Sequence, residues 1–182
     1  MQKSKGFVSA VMLVVTMAMV ACASTRTQKS AGEQIDDSVT TGRVKAALIA
    51  DPVTKAHQID VEVFKGTVQL NGYVDSAASK ERATEVAKAT NGVQAVHNNL
   101  SVRTADRSTE TVVDDGAITT KVKAALAGDS RTKAHQVNVE THEGVVQLSG
   151  FVDNAEAKST AAELARAVED VRSVNNQIDV KK

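Results

Sequence analysis

Tryptophan is absent from the 182-residue chain, which also holds a single tyrosine, three phenylalanines and one proline. With aromatics at 2%, neither a large aromatic-lined pocket nor a stacking platform for single-stranded nucleic acid is expected. Cys22 is the only cysteine, so no disulfide can form within one chain. Excess charge is missing too: 22 basic and 22 acidic residues balance, with no long block of one sign. That argues against nucleic acid as a partner. No GxSxG segment, Gly-rich nucleotide loop or apolar setting for paired carboxylates occurs, and the serines and aspartates fall at caps and turns. An enzyme is not expected, and no cofactor is implied. His57, His97, His135 and His142 lack the three or four convergent ligands of a zinc site. Histidines facing solvent at strand entries are the expectation, and metal binding is not.

What is present begins with the leader. Lys3 and Lys5 precede an uncharged run from Phe7 to Ala21, and polar sequence resumes at Ser24. A basic start, a short apolar stretch and small residues at its end describe an export signal over residues 1–21. The run is shorter than the ~20 residues that span a hydrocarbon core. Cys22 sits at its edge. A free thiol has nothing nearby to activate it, whereas "Met19-Val20-Ala21-Cys22" resembles the bacterial lipobox, with Met where Leu is usual. Acylation of Cys22 would anchor the chain. Ala23 after it, in place of Asp, resembles the pattern for release to the outer membrane. Ala21-Cys22-Ala23 also reads as an A-x-A cut, which would free a soluble periplasmic protein from Ser24. Both products stay open.

Beyond the leader one unit is written twice. "VKAALIADPVTKAHQIDVEVFKGTVQLNGYVD" starts at Val44 and "VKAALAGDSRTKAHQVNVETHEGVVQLSGFVD" at Val122, an offset of 78 (122 − 44). The match runs without a gap from Asp36/Asp114 to Val102/Val180. The expected organisation is a tether over 22–35, a first domain over 36–103, a linker over 104–113 and a second domain over 114–182. In each unit apolar residues first repeat at helical spacing (Val44, Ala47, Leu48; Val122, Ala125, Leu126). Asp36, Asp37 and Ser38, like Asp114 and Asp115, supply capping chemistry. Ile59, Val61 and Val63, then Val68 and Leu70, alternate as two strands around Lys65-Gly66 and its counterpart Glu143-Gly144, a tight hairpin turn. Asp75-Ser76 and Asp153-Asn154 open an Ala-rich second helix, and Val96, Leu100 and Val102 close as a strand. Gly72 and Gly150, inside the second strand, read as room for a helix or a bend. The order αββαβ predicts an α+β protein: two small mixed three-stranded sheets, each with two helices on one face.

"VKAAL", a hairpin carrying "GxVxLxGxVD", an Ala-rich helix and a final "VxNxxxV" resemble the BON domain, in two copies over residues 36–182. Tandem members of that family include osmotically inducible periplasmic proteins and outer-membrane lipoproteins. The resemblance implies a non-catalytic envelope protein that binds anionic phospholipid and supports outer-membrane integrity or osmotic stress tolerance. It carries over no catalytic residue. Lipid contact in the dual-BON lipoproteins lies on the first helix of the second domain, which by resemblance implies Ile118, Thr119, Lys121 and Lys123.

The residues offer a matching reason. On a helical wheel Arg43 and Lys45 lie about 100° either side of Val44, as Lys121 and Lys123 do around Val122. Basic side chains so placed can lay their stems on apolar surface and raise their charges to head groups. The same lysines also suit the solvated edges of a helix packed on a sheet. Phe64-Lys65 at the first hairpin tip, against His142-Glu143 at the second, suits either an interface or a Phe folded over the sheet edge. A periplasmic protein-interaction or chaperone-like module is the alternative function.

Overall fold

The computed structural model describes residues 30–54, 58–103 and 109–182. Helix α1 (Ala31–Ala50) opens on a capping box. The Glu33 amide donates to Ser30 Oγ at 3.2 Å, and the Ser30 amide donates to the Glu33 carboxylate at 2.8 Å. The helix therefore starts inside the stretch expected as tether, and helix α3 (Thr109–Gly128) likewise starts inside the expected linker. Asp37 does not cap. It faces the sheet, buried, and its carboxylate accepts the Lys65 and Gly66 amides at 2.7 and 2.9 Å. Asp115 holds Glu143 and Gly144 in the same way at 2.8 and 2.9 Å. Each acid thus clamps a hairpin turn to a helix far away in sequence.

After α1, Thr54 turns the chain by donating its hydroxyl to the Leu48 carbonyl, as Thr132 does to Leu126. Strand β1 (Ile59–Phe64) pairs antiparallel with β2 (Thr67–Val74). Their turn places Lys65 and Gly66 at φ 48° and 73°, both positive as a type I′ turn requires. Ser76 caps α2 (Ala77–Lys88) through the Ser79 amide. The closing strand, β3 (Ala95–Asn98) then β4 (Ser101–Val102), runs parallel to β2. The second unit repeats this: α3, a 3-10 turn (Ala134–Gln136), β5 (Asn138–His142), β6 (Val145–Ser149) with β7 (Phe151–Val152), α4 (Ala155–Arg166), and β8 (Ser173–Asn176) with β9 (Asp179–Val180). Asn98 explains the final motif. Its amide donates to Lys80 O on α2, and its carbonyl accepts the Leu100 amide across the break in the strand. Asn176 does the same with Lys158 and Ile178.

In both units the helices cover one sheet face over a small aliphatic core: Val44, Leu48, Val68 and Leu70 in the first, Val122, Leu126, Val146 and Leu148 in the second. The α+β architecture expected from the periods is present twice. The two uncovered faces meet each other, so the layers run helix, sheet, sheet, helix. Gln69, fully buried, donates to Asp179 at 2.6 Å and accepts the Gly150 amide at 2.9 Å. Gln147, its counterpart, donates to Asn99 O at 2.7 Å. Phe64 stacks on Phe151 at 5.4 Å, while Tyr73 meets His142 at 4.6 Å. Under the offset of 78 (142 − 64 and 151 − 73), Phe64 matches His142 and Tyr73 matches Phe151. The seam is therefore isologous, the same patch used from both sides.

Gly72 and Gly150 are required by this packing. At φ 110° and 117°, a Cβ on them would lie 2.2 and 2.3 Å from the Gln58 and Gln136 carbonyl oxygens. It would also press on Glu140 and Glu62 of the opposite unit, at 3.1 and 3.2 Å. The room expected at these glycines serves a backbone turn and a neighbouring sheet.

Candidate functional site

The residues singled out in the sequence divide by exposure. Ile118 is 4% exposed and packs in the second core, so its side chain is unavailable to a ligand. Helical spacing brings it to the same face as Val122, which is why it is buried. Thr119 is half-buried and donates to the Thr141 hydroxyl at 2.7 Å. Lys121, Lys123, Arg43 and Lys45 are exposed. Lys121 Nζ lies 3.3 Å from Asp170 and 3.8 Å from Glu169, and Lys45 Nζ lies 3.4 Å from Asp60. Such exposed pairs are worth 0–1 kcal/mol and are readily exchanged for another anion. Cys22 and His57 lie outside the described residues.

Of the other histidines, His97 is exposed and contacts Asp179, and His135 sits in the 3-10 turn. His142 departs from the solvent-facing expectation: it is buried against Tyr73, because the seam covers its strand. Among the described residues no group of three His, Cys, Asp or Glu side chains is arranged to hold a metal ion. No described helix is long and apolar enough to cross a membrane.

The electrostatics of the seam edge come from acids. Glu140 is pushed up to about 7, by burial first and by the charge of Asp60 second, with Lys123 opposing. Asn138 bridges to Asp60 at 2.9 Å. At the opposite end a cleft of about 660 Å³ opens beside Phe64 and Phe151. Lys133 and Lys181 each reach Asp153 there at 2.6 Å. Asp153 falls to about 2, through Lys133 first and then Lys181. Two lysines share one carboxylate there, so these three groups together carry a net positive charge.

The BON domain profile matches residues 36–104 and 114–182, nearly the whole of both units. The chain belongs to the BON-domain family. Among relatives, osmotically-inducible protein Y of Escherichia coli K12 is 40% identical over 82% of this chain and 75% of its own length. The 21 kDa hemolysin of Actinobacillus pleuropneumoniae is 36% identical over 84% and 76%. Outer membrane lipoprotein DolP of Haemophilus influenzae is 33% identical over 80% and 75%. In this BON protein the residues that sequence reasoning passed over are on the outward face of α1, where Ile35, Val39 and Ile49 stand exposed. Their signal was in the sequence: the helix carries a second apolar stripe, opposite the one built on Val44.

Proposed function

We propose that this chain is a non-catalytic envelope protein that binds anionic phospholipid and supports outer-membrane integrity or osmotic stress tolerance. On this reading it is exported and held on the periplasmic side of the outer membrane by acylation of Cys22. The observation that carries the reading is membership of a family whose relatives, matched over three quarters of their length, include a named outer membrane lipoprotein and an osmotically inducible protein. Two features of the chain support it. The first helices present Arg43, Lys45, Lys121 and Lys123 at the surface. The leader places the one cysteine at a lipobox-like boundary. Each cation near an anionic surface contributes about 1 kcal/mol, too little to hold a protein alone. An acyl anchor makes that second contact intramolecular, and weak attraction then suffices.

Vesicle sedimentation tests this. The unlipidated chain from Ser24 onward is expected to sediment with anionic and not with zwitterionic vesicles, less so in high salt. Weaker binding by a Lys121→Glu, Lys123→Glu variant would place the contact on the second unit, and weaker binding by an Arg43→Glu, Lys45→Glu variant would place it on the first. Absence of binding to either vesicle would overturn lipid recognition in favour of a protein-interaction role. The mass of the mature N-terminus separates acylated Cys22 from a chain starting at Ser24.

A further inference from the structure

The inner face of α1 belongs to the core through Thr40, Val44 and Leu48. The face opposite carries Ile35, Val39, Gly42, Ala46 and Ile49, a 4-3-4-3 spacing that keeps them in one line, and Val53 follows in the turn past the helix. All six are exposed: Ile35 is 65% and Ile49 73% open to solvent, and Val39 and Val53 are 44%. A Cβ on Gly42 would meet nothing within 4 Å. The second unit does not repeat this surface. Val113, Ala117, Thr120, Ala124, Ala127 and Arg131 occupy the six matching positions, so of these only the first keeps a large aliphatic residue. The central core residues Val44 and Leu48 recur as Val122 and Leu126 while the outer faces differ, so the stripe is no requirement of the fold.

Three observations choose the occupant. Arg43 and Lys45 are two residues apart, about 200° on the wheel. Since the Val44 side between them is buried, they border the outer stripe as cations on both of its edges. Acidic residues on the exposed part of the helix, Glu33 and Asp36, are confined to its first two turns. Next, Ala31 lies nine residues after Cys22 (31 − 22), and nine residues span at most about 30 Å. Finally, the alternative of a second copy meets two objections. An antiparallel pairing centred on Val44 would set Arg43 against Arg43 and Lys45 against Lys45. A single helix seam of four aliphatic side chains also falls well below the ~1,200 Å² of a stable interface. We infer that the outward face of α1, from Ile35 to Val53, is the surface by which the protein lies on an anionic phospholipid bilayer, with Arg43 and Lys45 at the head groups. The inference rests on the lipid-binding reading above and assigns the contact to the first unit, not the second.

The lack of tryptophan supplies the test. In an Ile49→Trp variant of the chain from Ser24 onward, the single indole emission is expected to shift to the blue with phosphatidylglycerol-containing vesicles and stay unmoved with phosphatidylcholine alone. An Ile35→Ser, Ile49→Ser variant, which keeps the charge, is expected to lose about tenfold in vesicle affinity. Arg43→Gln is expected to lose about fivefold. Vesicle binding with no emission shift and no loss in the serine variant would overturn this assignment while leaving lipid binding intact. Binding lost only in the Lys121→Glu, Lys123→Glu variant would move the contact to the second unit. No vesicle binding by any form would overturn the underlying reading. A serine variant that changes sedimentation from dimer to monomer with unchanged vesicle affinity would make the stripe a self-association face and overturn the assignment.

Discussion

Val44, Leu48, Val68 and Leu70 of the first unit recur unchanged as Val122, Leu126, Val146 and Leu148 of the second, all buried. Phe64 against His142, Ile49 against Ala127 and Val53 against Arg131 differ in size, polarity or charge. A core packed at crystal-like density tolerates little change in volume, so these four central positions are held constant, while other buried positions vary modestly: Ile59 corresponds to Val137, Leu100 to Ile178 and Thr40 to Ile118. The seam needs only that two faces fit each other, and the outer helix faces need only solubility or a partner. The larger divergences between the copies therefore fall where the molecule meets something other than the centre of its own core.

The comparison predicts equal penalties in the shared core. Leu48→Ala and Leu126→Ala should each cost about 2–5 kcal/mol, read from urea midpoints. Because the buried seam joins the units, each variant should lower one common transition. Two separate transitions, only one of them moved, would show that the halves melt apart. Next in size are the seam glycines. Gly150→Ala forces a side chain into a left-handed conformation against the Gln136 carbonyl and should cost about 2 kcal/mol or more. Gly72→Ala should cost a similar amount, and a Gly72 variant with wild-type stability would contradict the close approach described here.

The smallest effect separates the copies. Glu140 has a folded pKa raised from the usual 4.5 to about 7. The folded state therefore binds this proton more tightly than the unfolded chain does, and stability falls as pH rises from about 4.5 through about 7. Glu140→Gln should remove that slope and leave the protein about 1 kcal/mol more stable than wild type at pH 8, allowing for solvent screening. Asp60→Asn makes the first unit match Asn138 of the second and should relieve part of the same penalty. Urea titrations at pH 5 and pH 8 measure both; an unchanged slope in Glu140→Gln would remove Glu140 from the account.

Element order, helix faces and turns were legible because they depend on local period and local chemistry. The 3.6-residue stripe, the strand alternation, the Gly at each hairpin and the caps Ser76 and Asn154 all act within a few residues of themselves. Asp37 and Asp115 looked like caps because that is what acids near a helix start usually do, yet their partners lie in the hairpin turn. The true start, Ser30 with Glu33, was a readable capping box hidden in a segment that looked like spacer. The seam was not legible: Gln69 and Gln147 alternate with Val and Leu as solvent-facing strand residues would, and polarity alone does not say whether water or a sister sheet satisfies them. The outer stripe of α1 was legible but overlooked, since Arg43 and Lys45 flank both faces of the helix and the inner one had already explained them.

A seam made of corresponding positions has one further consequence. Each half carries on its open sheet the patch that the other half recognises, so by shape alone a half from another chain would serve as well. Choice of partner is then governed by proximity. The covalent link between the units keeps the correct half at a local concentration on the order of millimolar, far above what free chains reach. Cutting or greatly lengthening that link, with no change to any contact, should therefore allow halves to trade between molecules.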